Sequence, residues 1–133
     1  MTTRAHEPYV FYGLNSSYYA GKVRSYLRKK RIPFEEQFVN HPHFKEIVGP
    51  KAGNTKLPII EAPDGTVVQD TTEIIDFLEA RHPEPPVYPD GPKQRLVALI
   101  FELFGDEGLL KAGLHYRWAF PEQNQDFVLE DFA

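Results

Sequence analysis

The strongest constraint in this chain is a change of hydrophobic period, made and reversed within about thirty residues near its start. Tyr9-Val10-Phe11-Tyr12 is a short apolar run bounded by Gly13, and it reads as a buried strand. From about Ser17 the pattern turns helical. Tyr19, Val23, Tyr26 and Leu27 stand at i, i+4, i+7 and i+8, while Lys22, Arg24, Arg28 and Lys29 fall mostly on the other faces. Pro33 closes this helix, because the residue before a proline is pushed out of the α region. Phe34 to Val39 alternates loosely and predicts a second strand. One helix between two strands at this spacing predicts a right-handed crossover that leaves the strands parallel.

The next segments change the connection. His41 to Val48 predicts a short, weak helix, and Gly49-Pro50-Lys51-Ala52-Gly53-Asn54 a loop. Leu57-Pro58-Ile59-Ile60-Glu61 and Thr66-Val67-Val68 flank Pro63-Asp64-Gly65, a turn that predicts an antiparallel hairpin. Asp70-Thr71-Thr72-Glu73 then opens a strong helix with Thr71, Ile74, Ile75 and Leu78 on one face. Asp70 stands as its cap, with Glu73 placed as in a capping box, and Pro83 ends it. His82 to Pro92 holds five prolines and reads as a stiff linker. The expected organisation is therefore a first domain over 1–83, a linker over 84–92 and a helical segment over 93–133. Pro92 sits at a first helical position, and Leu96, Leu99, Ile100, Leu103 and Phe104 form a long apolar stripe. Gly105 and Gly108 weaken that helix before Leu110, Leu114 and Trp118 resume it. From Pro121 onward no pattern is assignable. The stripe requires a surface to cover, and the residues after it offer little.

Composition removes several classes of function. The 133 residues are 41% hydrophobic and 26% charged, ordinary for one globular domain with a real core. A net charge of −4 gives no electrostatic case for nucleic acid. The first residues lack the apolar stretch of a signal peptide, and no segment is long enough to span a bilayer, so a cytoplasmic protein without membrane contact is expected. Cysteine is absent, which excludes disulfides, thiolate metal sites and catalysis by a protein thiol. Any sulfur chemistry must arrive on a ligand. His41-Pro42-His43 has no third ligand at a useful spacing, so no metal site is expected. The glycines of Tyr12-Gly13-Leu14-Asn15 and of Gly49 to Gly53 do not form a phosphate-loop pattern.

The order of elements now carries a resemblance. βαβ followed by ββα is the thioredoxin-like order, and Lys56-Leu57-Pro58-Ile59-Ile60 looks like its strand-leading proline, which is cis in that fold. With "SYYAGKVRSYLRKKRIPFE", "VVQDTTEIIDFLEARHP" and a proline-rich linker leading into a helix, the sequence resembles a cytosolic glutathione transferase of the serine type. The match runs over about residues 9 to 104, and His115-Tyr116-Arg117-Trp118 is similar to a stretch in some bacterial members. The resemblance implies an α/β, thioredoxin-like domain followed by the start of an all-α domain. In the family that second domain runs to several helices and forms most of the electrophile pocket, so its counterpart here is expected to be incomplete. The implied reaction joins glutathione, as co-substrate, to a small electrophile, and the implied assembly is a homodimer. Two further readings remain: a glutathione-binding protein without catalysis, and a structural interaction module on the same fold.

The resemblance also assigns a site. Leu57, ahead of Pro58, is expected to pair through its backbone with the cysteinyl unit of glutathione, as a strand would. Asp70 and Thr71 stand where the family more often has Glu-Ser, the carboxylate suited to the ligand's ammonium and the hydroxyl, with the helix amides, to its α-carboxylate. For the glycine carboxylate the candidates are Lys56, Lys45 and Lys51. A transferase must hold the thiol as thiolate, and a hydroxyl at the start of the first helix is suited to that. Ser17, seven residues before Arg24, matches the family's catalytic serine. Ser16 looks like a supporting cap, Tyr12 is the rival donor, and a purely capping role for both serines is the third reading.

Overall fold

A computed structural model of the chain describes residues 7–54 and 56–132. The chain divides into two compact units, one up to Glu84 and the other from Pro85 onward.

In the first unit the elements follow the expected order. Strand β1 is Tyr9–Tyr12, helix α1 Tyr18–Lys30 and strand β2 Phe34–Gln37. Helix α2 opens with a π-helical turn, Phe44–Val48, that runs directly into an α-helical turn, Gly49–Ala52. Strands β3, Ile59–Glu61, and β4, Val67–Gln69, precede helix α3, Thr71–Arg81. The sheet order is β2-β1-β3-β4. β1 and β2 are parallel, and β3 runs antiparallel to both β1 and β4. The architecture is thioredoxin-like.

Strand alternation splits the core in two. Tyr12 and Ile59 face Phe44 and Val48 of α2. Phe11 and Ile60 are register partners on the other face, and the buried residues of α1 (Ala20, Val23, Tyr26, Leu27) and α3 (Ile74, Ile75, Leu78) complete the core. Each fully buried side chain of this size contributes about 1.5–3 kcal/mol, so these residues fix the sheet's register more firmly than any polar contact.

Three boundaries differ from the sequence reading. β2 ends at Gln37 rather than Val39, because β1 supplies register partners only from Phe34 to Gln37. Gly49–Ala52 is helical where a loop was expected. Pro50 falls in the first helical turn, where a missing N–H costs nothing, and Gly53 ends the helix at φ 73 with its N–H on the Gly49 and Pro50 carbonyls. The unassignable tail forms a helix, Pro121–Phe132, opened by a proline at its first position, where a missing N–H costs nothing. As expected, α1 stops before Pro33, and Arg31 takes the left-handed capping conformation.

Beyond the proline-rich stretch at its start, the second unit is built from helices: α4, Pro92–Leu103, a π-helical turn over Phe104–Gly108, α5, Leu110–Trp118, and α6, Pro121–Phe132. Its apolar stripe remains open to solvent, with Leu96 60% and Leu103 64% exposed. Val128 is the one buried residue among those described in this unit.

Candidate functional site

Sheet topology brings the expected site residues to one end of the first unit. Tyr12, the last residue of β1, is level with Ile59, the first of β3, and Ile59 is level with Gln69, the last of β4. The chain leaving β1 therefore reaches Ser17, the chain entering β3 comes through Leu57 and Pro58, and the chain leaving β4 reaches Asp70 and Thr71, all at the same edge. β2 ends at this edge too, since Gln37 is the partner of Tyr12, and it leads toward α2.

Ser17 is the N-cap of α1. Its backbone is extended, at φ −79 and ψ 121, and its Oγ accepts from the Ala20 N–H at 3.2 Å. That bond uses an oxygen lone pair and leaves the hydroxyl proton available to an acceptor beyond the helix tip. The side chain is half-buried, not packed in the interior. Tyr12 is placed differently. Its side chain lies in the core, 1% exposed, and burial followed by the charge and hydrogen bond of Glu61 raises its pKa to about 12. Glu61 is also held by His43 Nε2 at 2.8 Å. The Tyr12 hydroxyl is thus committed to Glu61, in the core formed with Phe44 and Val48.

The Leu57–Pro58 bond is cis, as expected of a strand-leading proline. The loop before it is stitched to the end of β4: Gln69 Nε2 donates to the Lys56 carbonyl at 2.5 Å and to Asn54 Oδ1, and Asn54 Nδ2 donates to Gln69 Oε1 at 2.7 Å. Sequence reasoning passed over Asn54 and Gln69, which are fifteen residues apart and are paired only by the hairpin register.

Asp70 caps α3 as expected, but its Oδ1 accepts from the Thr72 N–H at 2.9 Å, one residue short of a capping-box bond. Its backbone adopts φ 77 and ψ 139, a conformation that favours glycine and costs other residues about 1–3 kcal/mol. Such strain persists only where surrounding structure holds it, and here it presents an exposed carboxylate beside the first amides of α3. Thr71 is buried, and its Oγ1 accepts from Lys22 Nζ of α1 at 3.2 Å. The sequence places Lys22 only on a face of α1 other than the apolar one. No pattern in the sequence links it to a residue 49 positions later.

Of the three candidate lysines, Lys45 shares a cleft of about 530 Å³ with Leu57, Val39, Phe44, Gly49 and Pro50. Lys51 instead donates to the Gly65 carbonyl at 3.2 Å, and the Lys56 side chain is exposed. Among the described residues no group of three or more His, Asp or Glu side chains is arranged to hold a metal ion, and no helix is long and apolar enough to cross a membrane.

Residues 11–86 match the family model of the glutathione S-transferase N-terminal domain. No curated protein matches the chain. Among solved structures, a glutathione S-transferase from Methylobacterium radiotolerans in complex with glutathione sulfonate is 32% identical, with a TM-score of 0.63 over 74% of this chain and 46% of that one. A glutathione S-transferase from Rhodospirillum rubrum is 22% identical, with a TM-score of 0.68 over 77% of this chain and 47% of its own. Another, from Methylobacillus flagellatus with glutathione bound, is 22% identical at a TM-score of 0.64, covering 92% and 66%. The two at 22% identity speak for the fold alone. The chain thus spans about half the length of the first two structures and two thirds of the third.

Proposed function

Because this chain belongs to the glutathione S-transferase family, we propose that it binds glutathione at the end of the sheet and joins it, through its sulfur, to an electrophilic carbon of a small molecule. The observation that carries this reading is the convergence of Ser17, Leu57-Pro58 and Asp70-Thr71 at one end of the sheet through the level row Tyr12, Ile59 and Gln69. The backbone of Leu57 pairs with the cysteinyl unit, Asp70 receives the γ-glutamyl ammonium, and Thr71 with the α3 amides receives its α-carboxylate. Lys45, in the cleft beside Leu57, is the better-placed cation for the glycine carboxylate.

Ser17 donates its hydroxyl proton to the glutathione sulfur. A free thiol titrates near pH 8.5, and lowering that by two units requires about 2.7 kcal/mol of preference for the anion. One charge-assisted hydroxyl bond supplies about 1.5–3 kcal/mol, and the positive end of α1 adds about 0.3–1. Together they meet the requirement. The thiol proton leaves to solvent, the thiolate forms a carbon–sulfur bond, and the leaving group departs with its electron pair. A homodimer in the cytoplasm is the assembly and setting this reading carries, supported by the open apolar stripe of α4.

Thermal denaturation with and without millimolar glutathione, followed by a conjugation assay with an activated aryl halide, tests the proposal. Ligand at about a hundredfold excess over Kd stabilises by about 2.7 kcal/mol, a rise of several degrees in Tm. No shift would overturn glutathione binding. A shift without conjugation would reduce the protein to a glutathione-binding module.

A further inference from the structure

The cleft beside Leu57 is larger and more apolar than the end of glutathione needs. It measures about 530 Å³ and is lined by Val39, Phe44, Lys45, Gly49, Pro50 and Leu57, so a single ammonium stands among apolar walls. Pockets of about 300–1,000 Å³ hold whole drug-sized ligands, whereas a glycine brings no side chain at all. The walls are preformed. Phe44 is buried with Val48 and Ile59, and Val39 and Leu57 pack against that same cluster. Phe44 and Lys45 belong to the π-helical turn Phe44–Val48, a rare geometry found frequently at functional sites.

Sheet order says what reaches this cleft. In the order β2-β1-β3-β4, Asp70 follows β4 on one side of Leu57, which leads into β3, and α2 follows β2 on the other. A peptide laid from Asp70 across Leu57 therefore continues toward α2, and its third residue meets the cleft. We propose that the preferred thiol co-substrate is a γ-glutamylcysteinyl peptide whose third residue carries an apolar side chain. That side chain lies against Val39, Phe44 and Pro50, while Lys45 faces the terminal carboxylate. This deepens the glutathione reading and rests on it. Lys45 and Pro50 are exposed, so the cleft is open at that rim and takes side chains of more than one length.

Calorimetry compares glutathione with γ-glutamylcysteinyl-leucine and with γ-glutamylcysteinyl-asparagine, a polar side chain of similar size. The leucine peptide should bind about tenfold more tightly than glutathione, the low end of the range for methylenes entering an apolar pocket, and the asparagine peptide no more tightly. Val39→Thr puts a hydroxyl into the wall at nearly the same shape. It should weaken the leucine peptide about threefold and leave glutathione within about twofold. Lys45→Gln should weaken both about threefold, since both end in a carboxylate and the ammonium is exposed. A leucine peptide that binds no better than glutathione would overturn the proposal and leave the transferase reading standing. An equal gain with asparagine would overturn it too, because size rather than apolar contact would then be read. If none of the three peptides bound, the transferase reading would fall and this one with it.

Discussion

Two hydroxyls compete for the role of thiol donor, and their surroundings separate them. Ser17 is a cap at a half-buried helix tip with its proton to spare, whereas Tyr12 is buried and its pKa is driven up to about 12 by desolvation and Glu61. Ser17→Ala should raise the pKa of bound glutathione by about one to two units, the loss of one hydroxyl bond to an anion, while Tyr12→Phe should leave it unchanged. Titration of thiolate ultraviolet absorbance in the complex reads this directly, and a Tyr12→Phe effect larger than that of Ser17→Ala would reverse the assignment. Ser17→Ala also deletes a cap, costing about 1 kcal/mol of stability, so Ser17→Thr serves as the control that keeps both roles.

Between elements, α1 and α3 are joined by charge as well as by packing. The Lys30 side chain, 1% exposed, pairs with Glu79 at 2.8 Å, and Glu79 also accepts from the Tyr26 hydroxyl at 2.5 Å. Breaking one side of such a pair strands the other charge, which typically costs about 3–5 kcal/mol. Glu79→Ala should therefore lower Tm by more than ten degrees in chemical or thermal denaturation. The double variant Lys30→Met/Glu79→Leu should recover most of the loss, because no charge is then left buried. If the double variant were as unstable as Glu79→Ala alone, the clamp would owe its effect to shape rather than to charge. Since Ser17 rides on α1 and Thr71 on α3, loosening this clamp should also weaken glutathione binding.

At the scale of the whole molecule, the first unit has a closed core and the second does not. α4 presents Leu96, Ile100 and Leu103 to solvent, each more than half exposed, and a contiguous apolar face of this kind marks an interaction surface. Its charges run from Lys93 and Arg95 at the start to Glu102 at the end, with Asp106 in the turn that follows, so an antiparallel pairing with a second copy is matched in sign. Sedimentation of the wild type should give a dimer mass, and Leu96→Glu/Leu103→Glu should shift it to the monomer. The variant should keep its glutathione-dependent rise in Tm, because Ser17, Leu57, Asp70 and Thr71 all belong to the first unit. An unchanged mass in the variant would place the contact elsewhere.

Much of the first unit was legible in the residues themselves. The period changes between Tyr9 and Val39, the Pro63-Asp64-Gly65 turn and the cap at Asp70 are local signals, and local hydrogen bonding and burial obey them. Ser17 as a helix cap was readable for the same reason. The helix at Gly49–Ala52 and the helix after Pro121 were not, because a glycine-proline pair and a weakly amphipathic stretch are each compatible with loop or helix until neighbours decide. The site depended on tertiary structure in another way. Lys22 meeting Thr71, Lys45 sharing the Leu57 cleft, Gln69 stitching the loop before Pro58 and the positive φ of Asp70 all arise from contacts between distant segments. Sequence periodicity determines which face of an element is buried, while the register of one strand against another determines which distant side chains share a ligand.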